Sequence, residues 1–155
     1  MASESITERL LQAIETQLGN IVAGSVYHNT VRYVRRVNGA APAINRFASL
    51  EIQIASTDFV REIGFGGEDL YEASMKWRVW AYDSDSTNPQ LAASRLEQDV
   101  RSAIEQDVSL GDIAKDTQWR STNVWLFEHQ AGLVAAEISF ETTYLVQRSD
   151  TSLSQ

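Results

Sequence analysis

The sequence predicts an α+β fold: a mainly antiparallel sheet with two amphipathic helices packed on one face, and an extended β-hairpin. Two segments, 6–18 and 89–106, carry apolar residues on one side only at helical spacing. Several others, above all 70–82 and 133–147, alternate apolar and polar residues as a half-buried strand does. Two one-sided helices need a surface to lie on, and one-sided strands supply it, so a two-layer arrangement is the simplest that buries every apolar face.

The first helix opens on Ser5-Ile6-Thr7-Glu8, a capping box in which the serine oxygen takes a free backbone N–H and the glutamate reaches back to the cap. Ile6, Leu10, Ile14 and Leu18 form its stripe, widened by Leu11 and Ala13, and Gly19 is placed to end it in a left-handed turn. Residues 26–37 (VYHNTVRYVRRV) are β-branched and aromatic and read as a strand, closed by Asn38-Gly39 and followed by a connector pinned at Pro42. Residues 47–54 alternate Leu50, Ile52 and Ile54 against Ser49, Glu51 and Gln53, and a further strand, 58–65, follows a short Ala-Ser-Thr break. Glycines at 64, 66 and 67 then give a turn, and the long return strand buries Tyr71, Ala73, Met75, Trp77, Val79 and Ala81. Asn88 caps the second helix with Pro89 at its first position, and the stripe is Ala92, Ala93, Leu96, Val100, Ala103 and Ile104. Two strands near 118–128 and 133–147 close the chain as a hairpin around His129-Gln130-Ala131-Gly132. Residues 1–147 thus form a single domain, and 148–155 (RSDTSLSQ) a flexible tail with nothing to bury.

Composition narrows the function. The 155 residues carry 13 Lys+Arg against 21 Asp+Glu, a net charge of −8, which argues against nucleic acid as the primary partner because phosphate binding rests on clustered cations. With no cysteine there is no disulfide, thiolate metal site or cysteine nucleophile, and a reducing cytoplasm suits the chain. No run approaches the ~18 apolar residues of a membrane span, and the acidic, polar N-terminus is unlike a signal peptide, so no membrane partner is expected.

Chemistry-bearing motifs are scarce. His28 and His129 sit in different elements without acids at ligand spacing, so they read as strand-surface and turn residues and no metal site is expected. No Gly-x-Ser-x-Gly elbow places a serine beside a base, and no catalytic residue is assigned; the chain reads as no enzyme. Asp83-Ser84-Asp85 resembles the start of a calcium loop, but Asn88 replaces the glycine at position six and Ser94 the glutamate at twelve. It reads instead as an acidic loop before a helix N-terminus. The Gly64-Phe65-Gly66-Gly67 run opens a strand rather than a helix, so it is no phosphate cradle and no cofactor is expected.

Two surpluses remain. Arg32, Arg35 and Arg36 form the basic cluster of an acidic chain and could meet an acidic patch on another copy; Arg32 and Arg36 share a side of their strand. The aromatics exceed what the core needs, and Trp80 and Tyr82 fall on the polar side of the long strand, the kind of exposed aromatic enriched at interfaces. A sugar-binding platform would draw on the same aromatics.

Residues 91–116 (LAASRLEQDVRSAIEQDVSLGDIAKD), followed by two strands ending in Phe140-Glu141-Thr142-Thr143-Tyr144, resemble the tail terminator proteins of long-tailed, lambda-like bacteriophages. The N-terminal amphipathic helix and the long central strand entering a polar loop are similar too, so the resemblance runs from about Ile6 to Val146. The glycine-rich region and the Pro42 connector depart from it. The resemblance implies a ring of copies, a hexamer, that caps the finished tail tube at the head-proximal end of the virion tail. Such a ring stops tube polymerisation and presents a surface to the head or neck connector protein, with DNA only as passing cargo; assembly would take place in the host cytoplasm. On this reading the contact residues are Arg32, Arg35, Arg36, the tip residues Gly66, Gly67, Glu68 and Asp69, and Trp80 and Tyr82. The acid excess would gather on the channel wall, where a cationic lining would trap the phosphate backbone. Another neck, head-closure or tail-completion component would share this fold and composition, and a monomeric ligand-binding module could use the aromatics as a pocket.

Overall fold

A computed structural model gives the architecture for residues 4–37, 47–63, 70–127, 132–147 and 150–154, the last segment for its backbone only. Its elements are α1 (Ile6–Gly19), β1 (Tyr33–Arg36), β2 (Ser49–Ile63), β3 (Leu70–Ser84), α2 (Pro89–Glu105), β4 (Asp116–Leu126), β5 (Leu133–Gln147) and β6 (Asp150–Ser154). The strands make one sheet in the order β1-β2-β3-β5-β4, with β6 also on β5. Among the described strands only the β1–β2 pair is parallel, so the expected α+β class with a mainly antiparallel sheet holds.

Side-chain period fixes which face is buried. Of the set expected to be buried on β3, Tyr71 is only half-buried, while Ala73, Met75, Trp77, Val79 and Ala81 lie at 5% exposure or less. Each stands opposite a residue of the same face on β5: Tyr144, Thr142, Phe140, Ile138 and Ala136. Leu50 and Ile52 of β2 continue that face, and α1 and α2 cover it with the stripes read from their sequences. Both helices therefore lie on one side, and among the described residues no element covers the other, here called the bare side.

Four local expectations change. Ser5 caps α1 as expected, accepting from Glu8 N at 3.2 Å, but the helix runs out right-handed through Asn20 rather than turning left-handed at Gly19. The strand expected over 26–37 shrinks to Tyr33–Arg36. The N–H groups of His28 and Asn29 are taken by the Asp99 carboxylate of α2, which competes with a sheet partner for the same donors. The two strands expected at 47–54 and 58–65 are one, because the Ala-Ser-Thr segment is absorbed by a bulge at Ala55, and a second bulge falls at Val60. The tail expected at 148–155 contributes β6, which pairs with β5 at Val146 and Gln147 on the side that β4 leaves vacant. The tip at 64–69, the connector at 38–46 and His129 lie outside the described residues.

After α2 the chain reverses through Leu110, Gly111 and Asp112, all with positive φ. Two of the three are not glycine, an arrangement held by two anchors. Leu110 is fully buried, and the Asp107 carboxylate accepts from Ser109 N, Ser109 Oγ and Gly111 N. The Ser109 hydroxyl, then the Gly111 amide, hold that carboxyl below its ordinary pKa.

Gly132 ends the β4–β5 hairpin at φ +84°, and its carbonyl accepts from Asp85 N at 2.8 Å. A Cβ there would stand 2.8 Å from Ser86 N and 2.9 Å from the Asp85 carbonyl, so the backbones must separate to admit one. Gly132→Ala is expected to cost about 1–3 kcal/mol in urea denaturation. An unchanged midpoint would show that this close approach does not exist in solution.

Candidate functional site

The bare side of the sheet holds the aromatic and charged residues singled out in the sequence. Strand alternation brings Tyr33 and Arg35 of β1, Glu51 and Gln53 of β2, and Arg78, Trp80 and Tyr82 of β3 to this face. β5 adds Glu137 and Glu141 and β4 adds Trp125, by the register Trp80↔Glu137 and Trp125↔Ala135. Trp80 stacks on Trp125 with ring centroids 5.3 Å apart at 29°, and its indole N–H donates to Gln53 Oε1 at 3.2 Å. The tryptophan pair thus spans β5 beneath it, where the small side chain of Ala135, 1% exposed on the same face, leaves room.

Ion pairs flank the stack. Arg35 donates to Glu51 at 3.1 Å and lies 5.9 Å from the Tyr33 ring, and the Glu51 bond raises the arginine's pKa. Arg78 meets Glu137 at 3.3 Å; Arg120 meets Glu141 at 3.2 Å, and Glu141 also accepts from Ser74 at 3.1 Å. Further up β3, Glu72 accepts from Lys115 at 3.2 Å and from Arg61 at 3.1 Å. Burial pushes Glu72 towards the neutral form, but the bonds to Lys115 and Arg61 outweigh it and hold the carboxyl below its ordinary value. Burial raises the Tyr82 hydroxyl, with the Glu51 charge adding to it. An open depression of about 430 Å³ lies between the bulges of β2 and β4, with Lys76, Arg78 and Arg120 at its rim. Each acid in these ion pairs is matched by a cation, so the central band of this face alternates in charge.

The arginine cluster divides. Arg32 is exposed. Arg35 is committed to Glu51, and Arg36 points to the helix side, where it bridges Glu8 at 2.7 Å and Glu15. The Arg36 bond, first among its causes, lowers the pKa of Glu8. The role expected for Arg35 and Arg36, partners for acids on another copy, therefore meets side chains already paired within their own chain. The acids concerned are distant in sequence, and nothing local announces them. Reversing the charge of Arg35 and Arg36 would break these internal pairs and could not separate assembly from folding. Trp80 and Tyr82 are half-buried on the bare face, in agreement with their parity. Gly66, Gly67, Glu68 and Asp69 fall outside the described residues.

His28 bonds Gln98 at 3.2 Å on the surface of α2. Asp85 accepts from Thr87 N and Asn88 N in the turn that starts this helix, and these two bonds lower its pKa. Among the described residues no group of three His, Asp or Glu could hold a metal ion, and no helix is long and apolar enough to cross a membrane.

Sequence reasoning missed the edges of the sheet. Among the described residues β4 is a border strand, and Val124, Trp125 and Leu126 at its end, with Phe127 just beyond, are 41–50% exposed. β2 is paired with β1 only at 49–52, and beyond that it exposes Phe59 at 61% and Val60 at 46%. Apolar residues on an unpaired edge are what soluble monomers avoid.

No protein-family model matches the sequence, and no curated protein does. Among solved structures, a chain described as "Virion of native gene transfer agent (GTA) particle" is similar at a TM-score of 0.42 and 7% identity, over 90% of this chain and 90% of that one.

Proposed function

We propose that this chain is a structural virion protein and, within that class, a tail terminator. Copies form a ring, a hexamer, on the end of the tail tube, stop further subunit addition and offer the head or neck its attachment surface. The observation that carries the reading is the bare sheet face, where the Trp80–Trp125 stack lies among ion pairs that are all internally matched. Such a surface, with rigid aromatics at its centre and satisfied charges around them, suits contact with other protein chains. The sequence resemblance to tail terminators, carried by residues 91–116 and the strands after them, supplies the specific role.

The test uses the major tail-tube protein of the same virus, polymerised with and without the purified chain and viewed by negative-stain electron microscopy. Expected are short tubes with one end closed by a ring. Tubes that elongate to the same length distribution in both samples overturn the terminator role.

A further inference from the structure

We propose that copies of this chain join head to tail by strand pairing, the β4 edge of one copy adding to the stretch of β2 beyond β1, residues 53–61, of the next. The inference rests on the reading that the chain assembles with itself, and not on what the assembly then caps.

Direction comes first. β2, β3, β5 and β4 alternate, so β2 and β4 run in opposite directions at opposite borders of one sheet. Setting a second copy beside the first without inverting it brings β4 of one against β2 of the other as an antiparallel pair. The β1 strand covers β2 only at 49–52, and residues 53–61 beyond it meet no further strand on that side among the described residues.

Register is limited to alternate positions, because a slip of one residue would set buried-side residues against bare-side ones. The register that brings the exposed apolar residues of the two edges together places Asn123 opposite Ser56, Thr122 opposite Thr57 and Ser121 opposite Asp58. Asn123, Ser121, Ser56 and Asp58 all lie on the bare face, by their partners Glu137, Ser139, Lys76 and Ser74, and Thr122 and Thr57 both lie on the helix side. The bulges preserve the match towards both ends. The extra residue Ala55 brings Val124 opposite Ile54 on the helix side, and Trp125 opposite Gln53 on the bare side. Beyond Asp58, the extra residue Arg120 on β4 brings Trp119 opposite Phe59, both on the helix side. Phe59, Trp119 and Val124, 61%, 38% and 48% exposed in the single chain, would thereby gain partners in one step. A contact of this kind uses different surfaces on the two copies, so repeating it closes a ring when the rotation between copies allows.

The test exploits a chain with no cysteine. Opposed residues of an antiparallel pair have Cα atoms about 4.5–5.5 Å apart, within the span of a disulfide. Ser56→Cys and Asn123→Cys are made separately, each is checked by circular dichroism, and they are oxidised alone and mixed. Expected is a cross-linked dimer in the mixture, with each variant alone at background. Cross-linking of Asn123→Cys with itself means β4 edges pair about a two-fold axis and overturns the proposal. Oligomers by light scattering without cross-linking in the mixture also overturn it, while leaving self-assembly standing. A monomer that never cross-links removes both.

Discussion

Trp77→Ala is expected to remove about 3–5 kcal/mol of stability, measured by urea denaturation followed by far-UV circular dichroism. Trp77 is 1% exposed in the middle of β3, stacked on Phe140 at 4.6 Å and 16°. Its indole N–H donates to Thr142 Oγ1 at 2.9 Å, and Thr142 in turn lies 3.0 Å from Thr117 Oγ1. One side chain therefore fills the largest volume of the core and ends a hydrogen-bonded chain across β3, β5 and β4. Because the whole domain is stable by only roughly 5–15 kcal/mol, the alanine variant approaches the limit of folding. Trp77→Phe separates the two contributions: it keeps an aromatic ring on Phe140, gives up the N–H, and should lose about 1–2 kcal/mol. A Trp77→Ala midpoint close to wild type would mean that the helices do not pack over this part of the sheet.

The same tryptophan shows why much of the fold was legible. Burial on β3 and β5 repeats every second residue over 15-residue strands, and burial on α1 and α2 repeats at helical spacing, so local pattern alone identifies the inward residues. What failed depends on groups far apart in the chain. The β-branched segment 26–32 has strand chemistry, yet its donors at His28 and Asn29 are taken by Asp99, 70 or so residues away. Arg35 and Arg36 read as spare cations because Glu51, Glu8 and Glu15 belong to other elements. Parity placed Trp80 and Tyr82 on the bare face, but only the register of β4 on β5 and β5 on β3 brings Trp125 to Trp80. Whether a strand is an edge is a property of topology, since β4 and β5 are adjacent in sequence while β5 pairs on its other side with the distant β3.

Asp99→Ala is expected to cost about 3 kcal/mol, and to act on a part of the molecule that bears on assembly. Asp99 is 1% exposed on the core side of α2, among Leu96, Val100 and Ala103, a position its helical stripe would assign to an apolar residue. Its two oxygens accept from His28 N at 2.9 Å, Asn29 N at 2.8 Å and Asn29 Nδ2 at 2.9 Å. Alanine leaves those donors, on the exposed His28 and the half-buried Asn29, without their protein acceptor, and the penalty is theirs as much as the carboxylate's. Asparagine keeps one acceptor oxygen but turns an NH2 towards an N–H, so Asp99→Asn should fall between wild type and alanine. The segment so held leads through Val31, whose N–H bonds Ile21 O, and Arg32, whose N–H bonds Ala48 O, directly into β1. Releasing it loosens β1, and with it Tyr33 and Arg35 on the bare face and the boundary at which the free edge of β2 begins. Hydrogen exchange provides the sharper reading: the amides of residues 28 and 29 should lose protection first, those of β1 next, and those of β3 and β5 only with global unfolding. Uniform loss of protection across the sheet, or a stability change within about 0.5 kcal/mol, would show that Asp99 does not tie this segment to α2.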